Sequence, residues 1–570
     1  MTRSIAAALC ILALVPPTDL LGQADPGDAA PLRAAQWSED IDSLATWLLR
    51  THPRPFTRVD STVFMDRLSS IRDSAGLLPD AGVAVRLMHL VAGLGDGHTL
   101  LDGSERLGFD VWFPLRFYRF TDGLHVTAAP ASRPELIGAR IVRIGGRPAG
   151  VVADSVARVQ QTDNALFSAE ATYYLSSAPV MRELGFLDGD GRLSLEIEAD
   201  AGPRAVDVDA VRSQYHLVWR FWGEMFGPPV PDSISLVTAF EGLRPIDFRT
   251  LDRGRPPHLQ YRLNYHYTLL PEYDAAYMQF NFVNDAREGP DFGTFIADMF
   301  ADLDDRGVGR FVLDLRRNSG GDGSMLLPFV HAMIKRDDTI NRPGRFFVLT
   351  GRQTYSAAIM LVGLLREHTN AVFVGEPPGA ALNHYGDAIT FELPHSGMSF
   401  SVSQRYWQYA LSDDTSRAMA ISVPARFSFA DWEAGRDPAL EAVLPEGAYQ
   451  QVLAVLDREG VEAARALYEA QERAAEGADW WEPWDRDDMR RLGQRLLADG
   501  RIEDALLGFE LNSRRHPAWW RSWEGLADAL AAAGRNGEAV AAYRRALEIS
   551  PGNWNAGHQQ SQVAKLSGGG

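Results

Sequence analysis

Short apolar segments alternate with amphipathic ones between residues 276 and 445, and this alternation limits the fold more than any other feature of the chain. The segments between the apolar ones repeat their hydrophobic residues with helical spacing. The apolar segments have the length of buried strands and are residues 277–283, 310–315, 345–349 and 371–374. Strands that alternate with helices are joined by right-handed crossovers and form a parallel sheet. We therefore predict an α/β unit over residues 276–445, with a polar β segment at 387–406.

The segments before this unit differ in their periodicity. Residues 32–104 are predicted to be helical and to end in the loop Gly95-Asp96-Gly97-His98-Thr99. Residues 105–170 are predicted to be short strands, and Gly145-Gly146 is typical of a hairpin turn. Residues 171–275 have a weaker signal that includes strands, and they are predicted to connect the two halves.

A shift of 34 residues superimposes the C-terminal sequence on itself. Five positions match at this period, and they pair Leu492 with Leu526, Gly500 with Gly534, Ala505 with Ala539, Phe509 with Tyr543 and Pro517 with Pro551. A small residue where two helices touch and a proline that ends each repeat are typical of the tetratricopeptide repeat. We predict such helical repeats over residues 448–565, with a degenerate repeat at 448–472. We expect them to bind a protein partner or to self-associate.

The charge and the cysteine content exclude several classes of function. The chain has 75 acidic and 56 basic residues, and its net charge of −19 opposes binding to nucleic acid or to an anionic membrane surface. Its one cysteine, Cys10, can form no intrachain disulfide. The sequence has no His-Glu-x-x-His or similar spacing that would indicate a zinc site. We therefore expect neither a metal nor an organic cofactor.

The N-terminal sequence is typical of a secretory signal peptide. Arg3 precedes an apolar run from Ile5 to Val15, and small residues follow near Gly22 and Ala24. The run is shorter than the roughly 20 residues that a membrane-spanning helix requires. We predict that residues 1–23 are removed, and that the protein is exported to the periplasm or the extracellular space without membrane insertion.

Two positions in the α/β unit have the features of an acyl-transfer site. The glycine-rich segment 316–323 joins a strand to a helix, and it lacks the Gly-Lys-Ser/Thr ending of a Walker loop. Ser356 stands at the start of an apolar helix, where it is either an N-cap or a nucleophile. Beside a nucleophile, the N–H of Ala357 and a second N–H from Gly320 or Gly321 would be available to an oxyanion.

Five motifs occur in the order in which they occur in a known family. They are Gly95-Asp96-Gly97-His98-Thr99, residues 313–321, the Ser356 helix, Val374-Gly375-Glu376-Pro377 and residues 435–441. In this order they resemble the tail-specific, or C-terminal processing, serine peptidases. The resemblance is closest to the branch of the tricorn core and the interphotoreceptor retinoid-binding repeats, and it covers residues 37–445. It implies a crotonase-like core for the α/β unit and a divergent PDZ-like β domain over residues 105–170.

The resemblance also implies roles for single residues. Ser356 matches the nucleophile, and Ala357 with Gly320 or Gly321 matches the oxyanion hole. Many members carry a lysine base soon after the position of Gly375-Glu376, and its absence here excludes a Ser–Lys dyad at that position.

A histidine replaces the lysine in the tricorn-like branch, and His98 stands where the resemblance places that base. The carboxylate that orients His98 is left open between Glu376, Asp387 and Asp96, in that order of preference.

These inferences predict an exported serine peptidase that cleaves polypeptide substrates through an acyl-enzyme on Ser356. The PDZ-like region would bind substrate tails as an added strand, and the repeats would recruit a partner. The alternative is a catalytically silent protein that binds an apolar ligand or a peptide on the same scaffold, with Trp219–Trp222 in the pocket. The presence of both Ser356 and His98 favours the peptidase. An esterase of the hydrolase fold is excluded, because the sequence has no Gly-x-Ser-x-Gly.

Overall fold

The structure is a computed structural model that describes residues 31–212, 236–238 and 263–567. Short gaps within these ranges fall at residues 131, 165–168, 200–201, 287–288, 343, 413, 415, 435, 446–447, 476–479 and 485. The predicted signal peptide, residues 1–23, and the aromatic segment Trp219–Trp222 lie outside the described residues. No helix in the described part of the chain has both the length and the apolar character that crossing a membrane requires.

Three helices form the N-terminal part, as predicted for residues 32–104. They are α1 (Ala34–Thr51), α2 (Ser61–Ser74) and α3 (Asp80–Ala92). Asp60 begins α2 because its side chain accepts hydrogen bonds from two N–H groups of the first turn. Trp37 of α1 is fully buried and donates from its indole N–H to Asp80 at 2.8 Å, which ties α1 to α3. The chain then passes through the His98 loop into the strand β1 (Leu100–Asp102).

Short strands follow and form three small sheets. The strands are β2 (Val111–Trp112), β3 (Arg116–Phe120), β4 (Gly123–Pro130), β5 (Ile141–Ile144), β6 (Arg147–Pro148), β7 (Leu193–Ile197), β8 (Arg204–Val208), β9 (Val211–Arg212) and β10 (Leu236–Thr238). One sheet has the order β10–β4–β3, a second pairs β2 with β9, and the third has the order β6–β5–β7–β8.

The hairpin between β5 and β6 confirms the predicted turn. Gly145 and Gly146 both have positive φ, 53° and 74°, as the central residues of a type I′ turn do. The chain continues through α4 (Ala149–Ala157) and α5 (Ala178–Glu183) before β7 returns beside β5. The sheet therefore extends past the boundary predicted at residue 170. The reason is that β5 and β6 are too short to bury an apolar face alone, and β7 and β8 complete it.

The predicted α/β unit is present, and its parallel sheet confirms the interpretation of the alternating pattern. The strands of this sheet are β11 (Tyr265–Leu270), β12 (Ala275–Phe280), β13 (Arg310–Asp314), β14 (Phe346–Thr350), β15 (Val372–Gly375) and β18 (Val423–Pro424). Between β15 and β18 the chain forms a separate hairpin of β16 (His384–Glu392) and β17 (Ser399–Trp407). The sheet has the order β11–β12–β13–β14–β15–β18, and all neighbours are parallel except β11 with β12.

Helices cover both faces of this sheet, which is why its strands are almost continuously apolar. The helices are α6 (Phe292–Arg306), α7 (Leu327–Ile334), α8 (Ala357–His368) and α10 (Pro438–Glu441). The short helix α9 (Phe429–Glu433) packs instead on Phe120 of β3, through Trp432. One face shares a core with α6, α7 and α8, and the other shares a core with α10.

The hairpin of β16 and β17 packs on the N-terminal helices. Asp40 of α1 accepts hydrogen bonds from the N–H groups of His395 and Ser396, at 2.9 and 2.8 Å, in the turn of the hairpin. Trp47 of α1 stacks on Phe391 with ring centroids 4.7 Å apart. β17 also pairs with β1, which directly follows the His98 loop. These contacts hold the His98 loop against the α/β unit.

A buried ion pair joins two of the five motifs. Arg316 of the glycine-rich segment contacts Asp437 through two hydrogen bonds of 3.0 and 2.8 Å, and it also contacts Asp314 at 2.7 Å. Asp437 in turn caps α10. The tightly paired Arg316 and Asp437 therefore have a structural role, which is to fix the loop after β13 against the end of the α/β unit.

The C-terminal part consists of paired helices. They are α11 (Val452–Glu459), α12 (Val461–Ala474), α13 (Arg486–Ala498), α14 (Ile502–Arg515), α15 (Trp520–Ala532), α16 (Asn536–Ile549) and α17 (Ala556–Ser567). The ring of Phe509 lies against Gly493 and Gly525, and a Cβ on Gly493 would come within 2.6 Å of that ring. A bridge between Ile421 and Trp481 connects these helices to the α/β unit.

Candidate active site

Ser356 lies where the loop after β14 enters α8. Its backbone has φ 53° and ψ −123°, a conformation that residues other than glycine rarely adopt. Ser356 occupies the N-cap position of α8, but its side chain makes no capping hydrogen bond to the helix, which leaves the hydroxyl free of that role. Strained backbone of this kind persists only where the surrounding structure enforces it, and it is concentrated at active sites.

The glycine-rich loop approaches Ser356 closely. A Cβ on Gly320 would come within 2.6 Å of Ser356 Cβ and 2.9 Å of Ala357 N, and Gly320 has φ 108°, so this position requires glycine. The N–H of Gly320 donates to Asn318 Oδ1 at 2.9 Å and is therefore already used. The N–H groups of Ala357 and Gly321 donate to no acceptor within the described residues. Of the three predicted oxyanion donors, the geometry leaves Ala357 and Gly321 available.

His98 lies beside Tyr355, the residue that precedes Ser356. Its Nδ1 is 3.1 Å from the Tyr355 hydroxyl, and the two rings stack with centroids 4.6 Å apart. Its Nε2 is shielded from solvent and has no hydrogen-bond partner in the described part of the chain. Burial lowers the pKa of His98, although the charge of Asp96 and the main chain of Tyr385 oppose this shift. His98 is therefore a neutral imidazole at pH 7 with one nitrogen held in place and the other unused.

Asp163 is the third polar residue beside His98 and Tyr355, and no pattern in the surrounding sequence predicted it as a site residue. Its side chain is buried, with Oδ2 3.4 Å from the Tyr355 hydroxyl and Oδ1 accepting from the N–H of Gly97 at 3.3 Å. Burial raises the pKa of Asp163 to about 7, and the charge of Asp96 acts in the same direction. Asp163, Tyr355 and His98 thus form a chain of polar contacts whose central residue, Tyr355, directly precedes Ser356.

Two of the three carboxylates that the resemblance suggested are bound elsewhere. Glu376 is buried against Arg352, with nitrogen–oxygen distances of 2.9 and 3.1 Å. Asp387 pairs with Arg405 at 2.9 Å. Neither carboxylate forms a hydrogen bond with the ring of His98 among the described residues.

Asp96 is closer to the site; its hydrogen bonds hold the loop, and only its charge acts on the imidazole ring of His98. It accepts hydrogen bonds from the main-chain N–H of His98 at 2.9 Å and from Thr99 Oγ1 at 2.5 Å, and it lies 3.0 Å from His52 Nε2. Burial acts to raise the pKa of Asp96, but these hydrogen bonds and the His98 ring outweigh it, so the pKa is lowered. Asp96 is therefore an ionised carboxylate that shapes the turn on which His98 stands.

His384, at the start of β16, is a second buried histidine that sequence reasoning did not select. Its ring stacks on His98 with centroids 5.7 Å apart, and its Nδ1 is 3.3 Å from the carbonyl oxygen of Leu382. Burial, followed by the proximity of His98, lowers the pKa of His384 to about 4. This neutral ring helps to keep water away from His98. Within the described residues, no three His, Cys, Asp or Glu side chains are grouped as metal ligands.

Comparison with protein families assigns the domain that contains Ser356. Residues 274–407 match peptidase family S41, and residues 520–553 match the tetratricopeptide repeat. The chain therefore contains an S41 peptidase domain in a mixed α/β fold, followed by a helical region with a tetratricopeptide repeat, as the motifs and the 34-residue period predicted. No curated protein matches the chain.

Several solved structures are distantly similar. Mature CPAF is 12% identical, with a TM-score of 0.48, and the similarity covers 75% of this chain and 99% of CPAF. The photosystem II D1 C-terminal processing protease is 15% identical, with a TM-score of 0.33 and coverage of 76% and 98%. A putative S41 protease from Bacteroides fragilis is 13% identical, with a TM-score of 0.26 and coverage of 68% and 88%. Because these identities and TM-scores are low, we assign the roles of individual residues from the geometry of this chain alone.

Proposed function

We propose that this protein is an exported serine peptidase that hydrolyses polypeptides through an acyl-enzyme on Ser356, with His98 as the general base. The observation that carries the proposal is the placement of a serine with no capping bond, on a strained helix start, next to the tyrosine that holds His98. The S41 match of residues 274–407 supports the reaction class. The PDZ-like and crotonase-like assignments belong to the same proposal.

The reaction begins when Ser356 Oγ attacks the carbonyl carbon of the scissile peptide bond. His98 Nε2 takes the hydroxyl proton, which a neutral imidazole can do at pH 7. The carbonyl oxygen becomes an oxyanion, and the N–H groups of Ala357 and Gly321 stabilise it. The imidazolium then protonates the leaving amine as the C–N bond breaks, and a water molecule hydrolyses the acyl-enzyme by the same steps in reverse.

Asp163 and Tyr355 set the tautomer of His98 in this mechanism. When Asp163 is ionised, the Tyr355 hydroxyl donates to it, and the tyrosine oxygen accepts a hydrogen bond from Nδ1–H of His98. The proton of the neutral ring is then on Nδ1, which leaves the lone pair on Nε2 to act as a base. A protonated Asp163 donates to Tyr355 instead, so that the tyrosine donates to Nδ1 and the proton moves to Nε2. We assign Asp163 and Tyr355 as positioning residues for this reason.

The other domains complete the proposal. The PDZ-like region binds substrate tails by strand addition, for which β8 at the end of the β6–β5–β7–β8 sheet offers an edge. The repeats recruit a protein partner or a second copy of the chain. Residues 1–23 direct export, and the mass of the protein secreted from cells that express the whole chain shows whether they are removed.

The test of the proposed function is hydrolysis of a mixed library of unstructured peptides. We expect wild-type protein to cleave the library and Ser356→Ala to lose about 10³-fold or more of this activity. Ser69→Ala, an exposed serine of α2, is the matched control and keeps full activity. If Ser356→Ala cleaves as fast as wild type, the assignment of the nucleophile is wrong. If neither protein cleaves any peptide, the catalytically silent binding protein is the better description.

A further inference from the structure

A cavity of about 530 Å³ adjoins the His98 loop, and arginines dominate its wall. Four arginines from four separate segments line it: Arg58 between α1 and α2, Arg119 on β3, Arg158 after α4, and Arg417 between β17 and β18. Asp154 is the one carboxylate among the lining residues. This concentration of positive charge stands out in a chain whose net charge is −19.

Most of that charge has no counter-ion. Arg119 pairs with Asp154 at 2.7 Å. Arg58, Arg158 and Arg417 form no ion pair with any carboxylate in the described part of the chain. His89, which also lines the cavity, has a pKa lowered by burial and then by the charge of Arg158, so it is neutral at pH 7 and adds no positive charge. The nearby carboxyl of Asp163 offsets part of this charge, because it acts to raise the pKa of Arg417. Among the described residues, the cavity therefore keeps a net positive charge.

Two of these arginines are held in fixed positions by the same main-chain oxygen. Arg58 Nη1 donates to the carbonyl oxygen of Asp163 at 3.0 Å, and Arg417 Nε donates to it at 2.6 Å. Burial, and then the like charge of Arg58, lowers the pKa of Arg417, although the charge of Asp163 acts in the opposite direction. Arg417 Nη2 also lies 3.5 Å from the carbonyl oxygen of Thr162. The remaining N–H donors of the two guanidinium groups have no acceptor among the residues that the structure describes. A planar guanidinium with free donors binds a carboxylate through two parallel hydrogen bonds.

The cavity is built in part on sequence neighbours of the catalytic group. Gly95 lines it and precedes His98 by three residues, and Thr162 lines it and precedes Asp163. Gly95 has φ 69°, and a Cβ there would come within 2.8 Å of the Arg58 side chain, so the loop is shaped to accept the arginine. A group bound in the cavity would therefore be anchored within a few residues of the reacting centre.

We propose that this arginine-lined cavity binds a carboxylate of the polypeptide substrate, and so selects peptides that present a carboxylate at this position. The inference rests on the proposed function, since the carboxylate is placed relative to Ser356. Two groups on a peptide have this chemistry, an Asp or Glu side chain and the C-terminal carboxylate. Both would be held by the guanidinium groups of Arg58, Arg158 and Arg417.

The cleavage test compares matched fluorogenic peptides in which one Glu at each position in turn is replaced by Gln, each with a free or an amidated C-terminus. We expect kcat/KM to fall about 10-fold when the bound carboxylate is removed. Loss at one Glu position identifies a side chain, and loss on amidation identifies the terminus. Arg158→Gln removes one of the guanidinium groups of the cavity and should abolish this discrimination. The fold should be retained, because the Arg158 side chain forms no hydrogen bond within the described residues. Arg544→Gln, on the exposed face of α16, changes the net charge equally and should leave discrimination intact.

A binding experiment distinguishes a failure of this inference from a failure of the proposed function. Ser356→Ala is titrated with a labelled acidic peptide, its Gln analogue and inorganic phosphate, and fluorescence anisotropy is measured. Tighter binding of the acidic peptide, lost on adding Arg158→Gln, supports the cavity even if wild-type protein cleaves nothing. Cleavage with equal rates for Glu and Gln peptides refutes the cavity but not the peptidase. Phosphate that binds while neither peptide does also overturns the inference, because the ligand is then a free anion.

Discussion

Replacement of Asp163 by Asn tests the assignment of this buried carboxyl by changing stability and the pH profile together. The pKa of Asp163 is raised from 3.8 in an unfolded chain to about 7. A shift of about three pH units corresponds to roughly 4 kcal/mol between the protonated and ionised forms. The folded protein therefore binds more protons than the unfolded chain between these two pKa values, so this group lowers stability as the pH rises from about 4 to 7.

Asn resembles the protonated Asp and does not titrate, so the Asn variant should be free of this loss. Between pH 5 and pH 8, the free energy of unfolding of Asp163→Asn should gain about 3 kcal/mol relative to wild type. Urea titrations of both proteins at the two pH values measure this difference. Asp154→Asn is the control, because it removes an exposed charge, and it should show no such pH dependence. Gln161→Glu does not serve as a control, because it adds a charge.

The same variant should change catalysis. In wild type, kcat/KM should rise with an apparent pKa near 7, since ionised Asp163 leaves the proton of His98 on Nδ1 and frees Nε2. In Asp163→Asn this step should disappear, and the remaining acid limb should lie below pH 6.5, where burial has placed the pKa of His98. An unchanged step near pH 7 in the Asn variant, with no gain in relative stability, would refute the role of Asp163.

Three further changes test the parts of the fold that hold the site. Gly320→Ala should reduce kcat at least 10²-fold with folding retained, because its Cβ would press on Ser356 and on the Ala357 N–H; an unchanged kcat would mean that the loop lies elsewhere. Arg316→Leu should cost about 3–5 kcal/mol in urea unfolding, because two buried carboxylates lose their partner, and a cost below 1 kcal/mol would contradict the buried pair. Phe509→Ala should lower the melting temperature of the C-terminal helices by removing about 3–5 kcal/mol of packing, while peptide cleavage persists; equal loss of both would show that the repeats and the peptidase unfold together.

Local patterns in the sequence were sufficient for the architecture. The helical segment, the parallel sheet and the C-terminal helices follow from apolar periodicity, which depends on neighbouring residues. Ser356 could be selected because its position at the end of a strand and the start of a helix is itself a local feature. Local patterns did not show that the small sheet continues past the predicted domain boundary at residue 170. The reason is that β7 pairs with β5 across a long connection.

The carboxylate partner of the site was decided by the tertiary structure alone. Glu376 and Asp387 are near the predicted site in sequence, yet arginines of the fold neutralise both. Asp163 lies 192 residues from Tyr355, and His98 lies 257 residues from it. No periodicity or spacing reports a contact over such a distance, because it arises from the packing of three separate segments. The sequence determined which elements form and which serine begins a helix. The packing of those elements decided which acid is linked to the histidine through Tyr355, and how burial shifts the pKa of that acid.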